Sequence, residues 1–108
     1  MIQILAGTDR PGSRSGEVAH FIKPLYEAQG FKAQVMNLTD LSLNELEGAH
    51  YSKEKPKKVA DAVETLMQAD GLIVVCPEYN GSMPGALKLF IDHWKYPDSF
   101  EHRPVCFI

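Results

Sequence analysis

A polar loop in the second half of the chain combines residue types that can bind a flat, polar ligand. The loop spans residues 77–85 and contains the ring of Tyr79 and the amide side chain of Asn80. We also expect free backbone amides around Gly81 and Ser82. The loop follows a buried-strand pattern and precedes a helical one, and open α/β sheets bind ligands at such strand-to-helix loops. The sequence therefore predicts a site for a planar heteroaromatic ligand with many hydrogen-bonding atoms.

A second polar loop, residues 7–15, lies between the first apolar run and a helical pattern. Backbone N–H groups at a helix N-terminus carry partial positive charge and bind phosphate. Hydroxyl and guanidinium groups that can add to such a site are concentrated here: Thr8, Arg10, Ser13, Arg14 and Ser15. The spacing matches neither the G-x-G-x-x-G dinucleotide pattern nor the G-x-x-x-x-G-K-[ST] pattern. The loop therefore indicates a monophosphate site.

Each loop also has a purely structural interpretation. Residues 7–15 can form an ordinary turn before an N-capped helix. Asn80-Gly81 and Pro84-Gly85 are strong turn dipeptides, so residues 77–85 can form a tight turn. Because the two loops follow adjacent strands of the predicted sheet, their interpretations as binding loops support each other.

Short apolar runs alternate with amphipathic segments along the chain. The runs that predict strands are residues 1–6, 31–38, 71–76 and 103–108. The resulting order, β-α-β-α-β-α-β, is typical of an α/β fold with a doubly wound parallel sheet. We expect one domain over residues 1–108 with a flavodoxin-like sheet of order 2-1-3-4-5. The sheet is expected to be incomplete, with three strands and the start of a fourth.

Three apolar stripes at helical spacing predict which helix faces are buried. The stripes are Val18, Phe21, Ile22, Leu25 and Tyr26; Val59, Ala62, Val63, Leu66 and Met67; and Leu87, Phe90, Ile91 and Trp94. Pro24 predicts a kink or a break in the first helix, and Gly30 predicts its end. Residues 41–52 are ambiguous, with a short helical turn and a loop expected, and the charged residues 53–58 are expected to be a solvated face.

Composition excludes several classes of partner. The formal net charge is −3 and no basic block is present, so the footprint of a nucleic-acid binder is absent. The longest apolar run, Leu72 to Cys76, is too short to span a membrane. The chain begins without a signal-peptide pattern, and Cys76 and Cys106 are expected to be reduced thiols. These features predict a cytoplasmic protein.

Two other kinds of active site are not supported by the residue spacing. The four histidines, His20, His50, His93 and His102, do not pair with one another or with the cysteines at metal-ligand spacing, so we expect no metal site. Neither loop contains the G-x-S-x-G motif of a serine hydrolase.

Both loops resemble the motifs of one known family, the NADPH-dependent FMN reductases. The first motif, roughly G-[ST]-x-R-x-x-S, is matched by Gly7, Thr8, Arg10 and Ser13. The second, roughly P-E-Y-N-x-[ST]-x-P-x-x-L-K, is matched by Pro77, Glu78, Tyr79, Asn80, Ser82, Pro84, Leu87 and Lys88. Ser15 stands where the family often has asparagine, and the family's third flavin loop would follow the fourth strand.

The resemblance implies an oxidoreductase with FMN as cofactor and NADPH as co-substrate. Arg10, Ser13 and Ser15 would hold the FMN phosphate, with Thr8 in the same loop. The isoalloxazine and ribityl groups would lie against Pro77, Glu78, Tyr79, Asn80, Gly81 and Ser82. Hydride would pass from NADPH through FMN to a quinone, an azo compound, free flavin or a metal oxyanion. The flavin carries the chemistry, so no catalytic side chain is assigned, and Glu78 is expected to bind nearby backbone amides.

Two other functions remain open from the sequence. One is a flavodoxin-like electron carrier, and the other is a truncated, non-catalytic fold that pairs with another chain. The family tends to form dimers and tetramers, and an unpaired strand edge favours association as well. We therefore expect a homodimer or tetramer, with Trp94, Tyr96 and Phe100 as candidate interface residues.

Overall fold

The computed structural model describes residues 1–51 and 54–108; Ser52 and Lys53, from the unpatterned and charged segments, lie outside them. Within these ranges the chain forms one sheet with four parallel strands. The strands are β1 (Ile2–Ala6), β2 (Ala33–Asn37), β3 (Gly71–Val75) and β4 (Val105–Phe107). Their spatial order is β2-β1-β3-β4. The predicted α/β class and flavodoxin-like order are therefore confirmed for these strands.

The strand sequences explain the burial of the sheet. All five residues of β3 are buried, as expected for a continuous apolar run in a parallel sheet covered on both faces. In β1, Leu5 belongs to the core on one face of the sheet, whereas Ile4 and Ala6 belong to the core on the other. The side chains of β4 are exposed.

Three helices in the described ranges cover the sheet: α1 (Arg14–Glu27), α2 (Lys57–Met67) and α3 (Gly85–Asp92). α2 and α3 pack on one face and α1 packs on the other. The predicted stripes of α2 and of the α3 segment are buried or half-buried, which confirms both.

The predicted stripe of α1 is partly wrong. Ala19 and Ile22 are buried, but Val18, Phe21 and Leu25 are exposed, and Phe21 keeps 68% of its surface in contact with solvent. α1 contacts the sheet through the side of the helix that carries Ala19 and Ile22, where the small alanine allows a close approach. Phe21 and Leu25 lie beside this contact. The helix also continues past Pro24 without a break, because Ile22 and Tyr26 hold its last turns against the sheet.

The segment between β2 and α2 is anchored to α3 by a buried histidine. His93 is 1% exposed, and its Nε2 lies 3.0 Å from the Leu46 carbonyl oxygen. Its Nδ1 lies 3.2 Å from the Lys55 ammonium nitrogen. Because an ammonium group can only donate, Nδ1 accepts and Nε2–H donates to Leu46, which makes the ring neutral. Burial, reinforced by the charge of Lys55, lowers the pKa of His93.

Candidate functional site

The first loop ends in a capped helix with free amide groups. Ser13 is the N-cap of α1, which begins at Arg14, and its side-chain oxygen accepts a hydrogen bond from the Gly16 amide at 3.0 Å. Among the described residues, the amides of Arg14 and Ser15 have no hydrogen-bond partner. The predicted N-capped helix is therefore present, and its first turn still offers N–H groups to an anion.

The second loop is a two-residue hairpin turn. Tyr79 and Ser82 exchange two backbone hydrogen bonds, at 2.8 and 3.2 Å. Asn80 and Gly81 between them have φ values of +53° and +82°. Positive φ at both central positions is typical of a type I′ turn, for which Asn-Gly is the favoured sequence. The predicted tight turn is confirmed, and it projects the ring of Tyr79 at a fixed position.

The backbone amides of this turn do not face a ligand as the sequence predicted. The Gly81 amide donates to the Glu78 carboxylate, and the Ser82 amide donates to the Tyr79 carbonyl oxygen. Closing the turn uses both groups, which is why they are not free. The contact with Gly81 is the structural role expected for Glu78.

A partly buried hydrogen bond joins the two loops. β1 and β3 are neighbours in the sheet, so the loops begin side by side, and the Gly7 amide donates to the Val75 carbonyl oxygen at 2.8 Å. The hydroxyl oxygen of Thr8 lies 2.6 Å from that of Tyr79. The Arg10 amide also donates to the Thr8 hydroxyl oxygen, at 3.2 Å. Thr8 therefore fixes the position of Tyr79 relative to the first loop.

The two loops enclose a cavity of about 360 Å³. Its lining residues are Arg10, Ser13, Arg14, Ser15, Pro77 and Tyr79. Thr8 is buried and belongs to a neighbouring cavity instead, whereas Glu78, Asn80, Gly81 and Ser82 are exposed and do not line the cavity between the loops. The structure thus brings together five of the residues predicted from sequence, and it adds Arg14, which the sequence offered only as an alternative to Arg10.

The chemistry of this cavity suits a phosphate ester joined to a flatter, less polar group. Two guanidinium groups, two serine hydroxyls and the free amides of α1 are all suited to an anion. Pro77 and the ring of Tyr79 supply an apolar side. These residues fit the phosphate end of FMN.

Other cavities lie beside this one or against α2. A cavity of about 440 Å³ shares Arg10 and Ser13 with it, includes Thr8, and extends to Asn37 and Thr39. Two cavities of about 650 Å³ each lie against α2. Neither of the two larger ones contains an arginine, and in both the carboxylates, Asp61 among them, outnumber the lysines, which disfavours an anion.

Within residues 1–51 and 54–108, no cluster of three or more His, Cys, Asp or Glu side chains is arranged to hold a metal ion. No helix in the same ranges has the length and apolar character needed to cross a membrane.

Comparison with known proteins agrees with this geometry. Residues 1–108 match the family described as NADPH-dependent FMN reductase. The FMN-dependent NADPH-azoreductase of Staphylococcus aureus (strain USA300) is 31% identical over 105 residues, which cover 94% of this chain and 55% of the azoreductase. The chain therefore spans about half the length of the curated relatives it matches.

Solved structures show the same fold. An NADH:FMN oxidoreductase (EMOB), in its apo form, is 24% identical with a TM-score of 0.77, over 96% of this chain and 54% of its own. FerB, a flavoenzyme NAD(P)H:(acceptor) oxidoreductase from Paracoccus denitrificans, is 21% identical with a TM-score of 0.75, over 99% of this chain and 58% of its own. The strand order, the two loops and the match over the whole sequence lead to one conclusion: the chain belongs to the NADPH-dependent FMN reductase family.

Proposed function

We propose that this protein binds FMN and uses it to pass hydride from NADPH to a small acceptor. The cavity between the two loops is the observation that carries the proposal. The FMN phosphate binds Arg10, Ser13 and Ser15, with Arg14 as a fourth donor. The rest of the cofactor extends along residues 77–82.

The electrostatics of the first loop support this orientation. The cavity is lined by the Arg10 and Arg14 side chains, and the Arg14 and Ser15 amides at the start of α1 have no partner among the described residues. A phosphate placed there neutralises the guanidinium groups and meets the positive end of the helix dipole. The opposite orientation would leave these donors without an acceptor.

The protein itself positions rather than reacts. FMN, when bound, supplies the hydride-transfer chemistry, and the surrounding chain orients it and tunes its electronics. Glu78 is held by the Gly81 amide, so its carboxylate maintains the turn instead of acting as an acid. The Asn80 side chain is exposed at the tip of this turn and offers its amide to polar ring atoms.

The acceptor is proposed from the family and its named relatives. An azo compound is one candidate, because a relative at 31% identity is an azoreductase. A quinone, free flavin and a metal oxyanion are the other candidates.

We further propose that the protein is a cytoplasmic homodimer or tetramer. Free Cys76 and Cys106 support the location, and the exposed aromatic rings of Tyr96 and Phe100 support association.

The proposed function is tested by measuring NADPH consumption in the presence of FMN and an azo dye or a quinone. The rate must exceed that of the same mixture without protein, because free FMN alone reacts slowly. Acceptor-dependent oxidation is the expected result. A chain that binds FMN but does not increase NADPH consumption would favour the electron-carrier alternative, and a chain that binds no FMN would favour the non-catalytic one.

A further inference from the structure

The hydroxyl group that links the two loops has its donor and acceptor roles fixed by burial. Thr8 is 2% exposed, and its oxygen lies near two groups only, the Arg10 amide and the Tyr79 hydroxyl, among the described residues. A threonine hydroxyl has one proton to donate and two lone pairs that accept. The Arg10 amide can only donate, so it occupies one lone pair.

In the hydrogen bond between the two hydroxyl groups, either Thr8 or Tyr79 donates the proton. If Tyr79 donated, the proton of Thr8 would be buried without an acceptor, and an unsatisfied buried donor is costly. If Thr8 donates, its oxygen and its proton are both satisfied. The phenolic proton of Tyr79 is then free, and Tyr79 is 36% exposed at the cavity wall.

The surroundings of Tyr79 favour an anion as the acceptor of that proton. The cavity is also lined by Arg10 and Arg14, whose guanidinium groups can only donate hydrogen bonds and so cannot accept the Tyr79 proton. It is lined by Ser13 as well, whose oxygen already accepts from the Gly16 amide. A phosphate in the cavity accepts from all of these groups. We propose that Thr8 is a positioning residue that donates to Tyr79 and so directs the Tyr79 hydroxyl proton onto the phosphate of the bound cofactor.

This assignment rests on the proposed function and changes two roles that the resemblance implied. Thr8 holds Tyr79 rather than the ligand, because both partners of its hydroxyl belong to the protein and Thr8 does not line the cavity that would hold the phosphate. Tyr79 binds the phosphate end of FMN rather than the isoalloxazine ring. Its hydroxyl becomes a phosphate ligand supplied by the second loop.

The experiment compares the binding of FMN and riboflavin, which differ by the phosphate, through quenching of flavin fluorescence. The proteins are the wild-type chain, Tyr79→Phe, Thr8→Val, Thr8→Ser and the double variant Thr8→Val/Tyr79→Phe. Hydrogen bonds to charged groups contribute enough to change an affinity about tenfold or more. Tyr79→Phe should weaken FMN binding about tenfold and leave riboflavin binding unchanged.

The threonine variants test the positioning role. Thr8→Val should reproduce most of the FMN-specific loss, Thr8→Ser should restore binding, and the double variant should lose no more than Tyr79→Phe alone. Losses that multiply in the double variant would overturn the relay, because independent contacts add in free energy. Equal losses for FMN and riboflavin would overturn the phosphate contact. If Thr8→Val does not fold, Thr8→Ala replaces it with the same expected FMN-specific loss, and Tyr79→Phe still tests the phosphate contact with the same two ligands.

A wild-type chain that binds neither flavin would refute the proposed function separately. The hydrogen-bond assignment would then be tested with inorganic phosphate, followed through the amide NMR signals of Arg14 and Ser15. Weaker phosphate binding by Tyr79→Phe would support the assignment. Unchanged binding, or no phosphate binding by the wild-type chain, would overturn it.

Discussion

Gly7 is the glycine at which an added methyl group would meet the closest contact, at the point where the two loops begin. A Cβ added to Gly7 would lie 2.9 Å from the Val75 carbonyl oxygen and 3.2 Å from Cδ2 of Leu87. Both neighbours are buried, and the Gly7 amide already donates to that same carbonyl group. The Gly7→Ala variant must therefore separate the ends of β1 and β3 or displace α3.

The magnitude follows from the cost of overpacking a close-packed core. Inserting a methyl group without room costs about 1–3 kcal/mol, so we expect Gly7→Ala to lower the free energy of unfolding by about 2 kcal/mol. With a urea m-value of about 2 kcal/mol/M, the unfolding midpoint falls by about 1 M. Urea titration followed by circular dichroism measures this shift directly.

Gly85→Ala is the matched control. An added Cβ at Gly85 meets no atom within 4 Å, and Gly85 is the first residue of α3, where alanine has the better helix propensity. We expect this variant to be as stable as the wild-type chain or slightly more stable. If Gly7→Ala unfolded at the same urea concentration as Gly85→Ala, the close approach of the two strand ends would be refuted.

Three further predictions concern stability. Because burial lowers the pKa of His93, the unfolded chain binds more protons than the folded one, and the unfolding free energy should fall as pH drops below about 6.5. Urea titrations across this pH range should show that the unfolding free energy of His93→Gln depends less on pH than that of the wild-type chain. The same pH dependence in both proteins would contradict the neutral ring. Arg103 donates hydrogen bonds to the carbonyl oxygens of Met67, Ala69 and Ser99. Arg103→Ala should therefore lower the unfolding free energy by about 2 kcal/mol in the same assay. A loss within experimental error would show that these hydrogen bonds do not stabilise the fold. Gly81→Ala places alanine at a φ of +82° and should cost about 1 kcal/mol, measured in parallel; no cost would argue against the left-handed turn.

The sequence was sufficient for those parts of the fold that depend on local pattern. The buried run of β3 and the stripe of α2 are set by the period of the apolar residues, and the Asn80-Gly81 turn is set by the φ angles that its residues tolerate. The neighbouring positions of the two loops follow from the parallel strand order. These features need no knowledge of distant contacts.

What the sequence did not predict depends on packing between distant segments. α1 contacts the sheet through the small side chain of Ala19, and apolar periodicity alone does not distinguish that row from the one through Phe21. Burial of Leu46 depends on His93, which lies 47 residues further along the chain. The role of Thr8 likewise depends on Tyr79, because a hydroxyl group can bind either a ligand or another side chain.

The cavity between the two loops is proposed to bind FMN through its phosphate. Titration of the 108-residue chain with FMN, followed by quenching of flavin fluorescence, tests this proposal most directly. We expect saturable one-to-one binding that Arg10→Ala weakens about tenfold or more, whereas Lys57→Ala, which removes an exposed cation on α2, leaves the affinity unchanged. Absence of saturable quenching by a folded chain, or equal effects of the two substitutions, would contradict the assignment of this cavity.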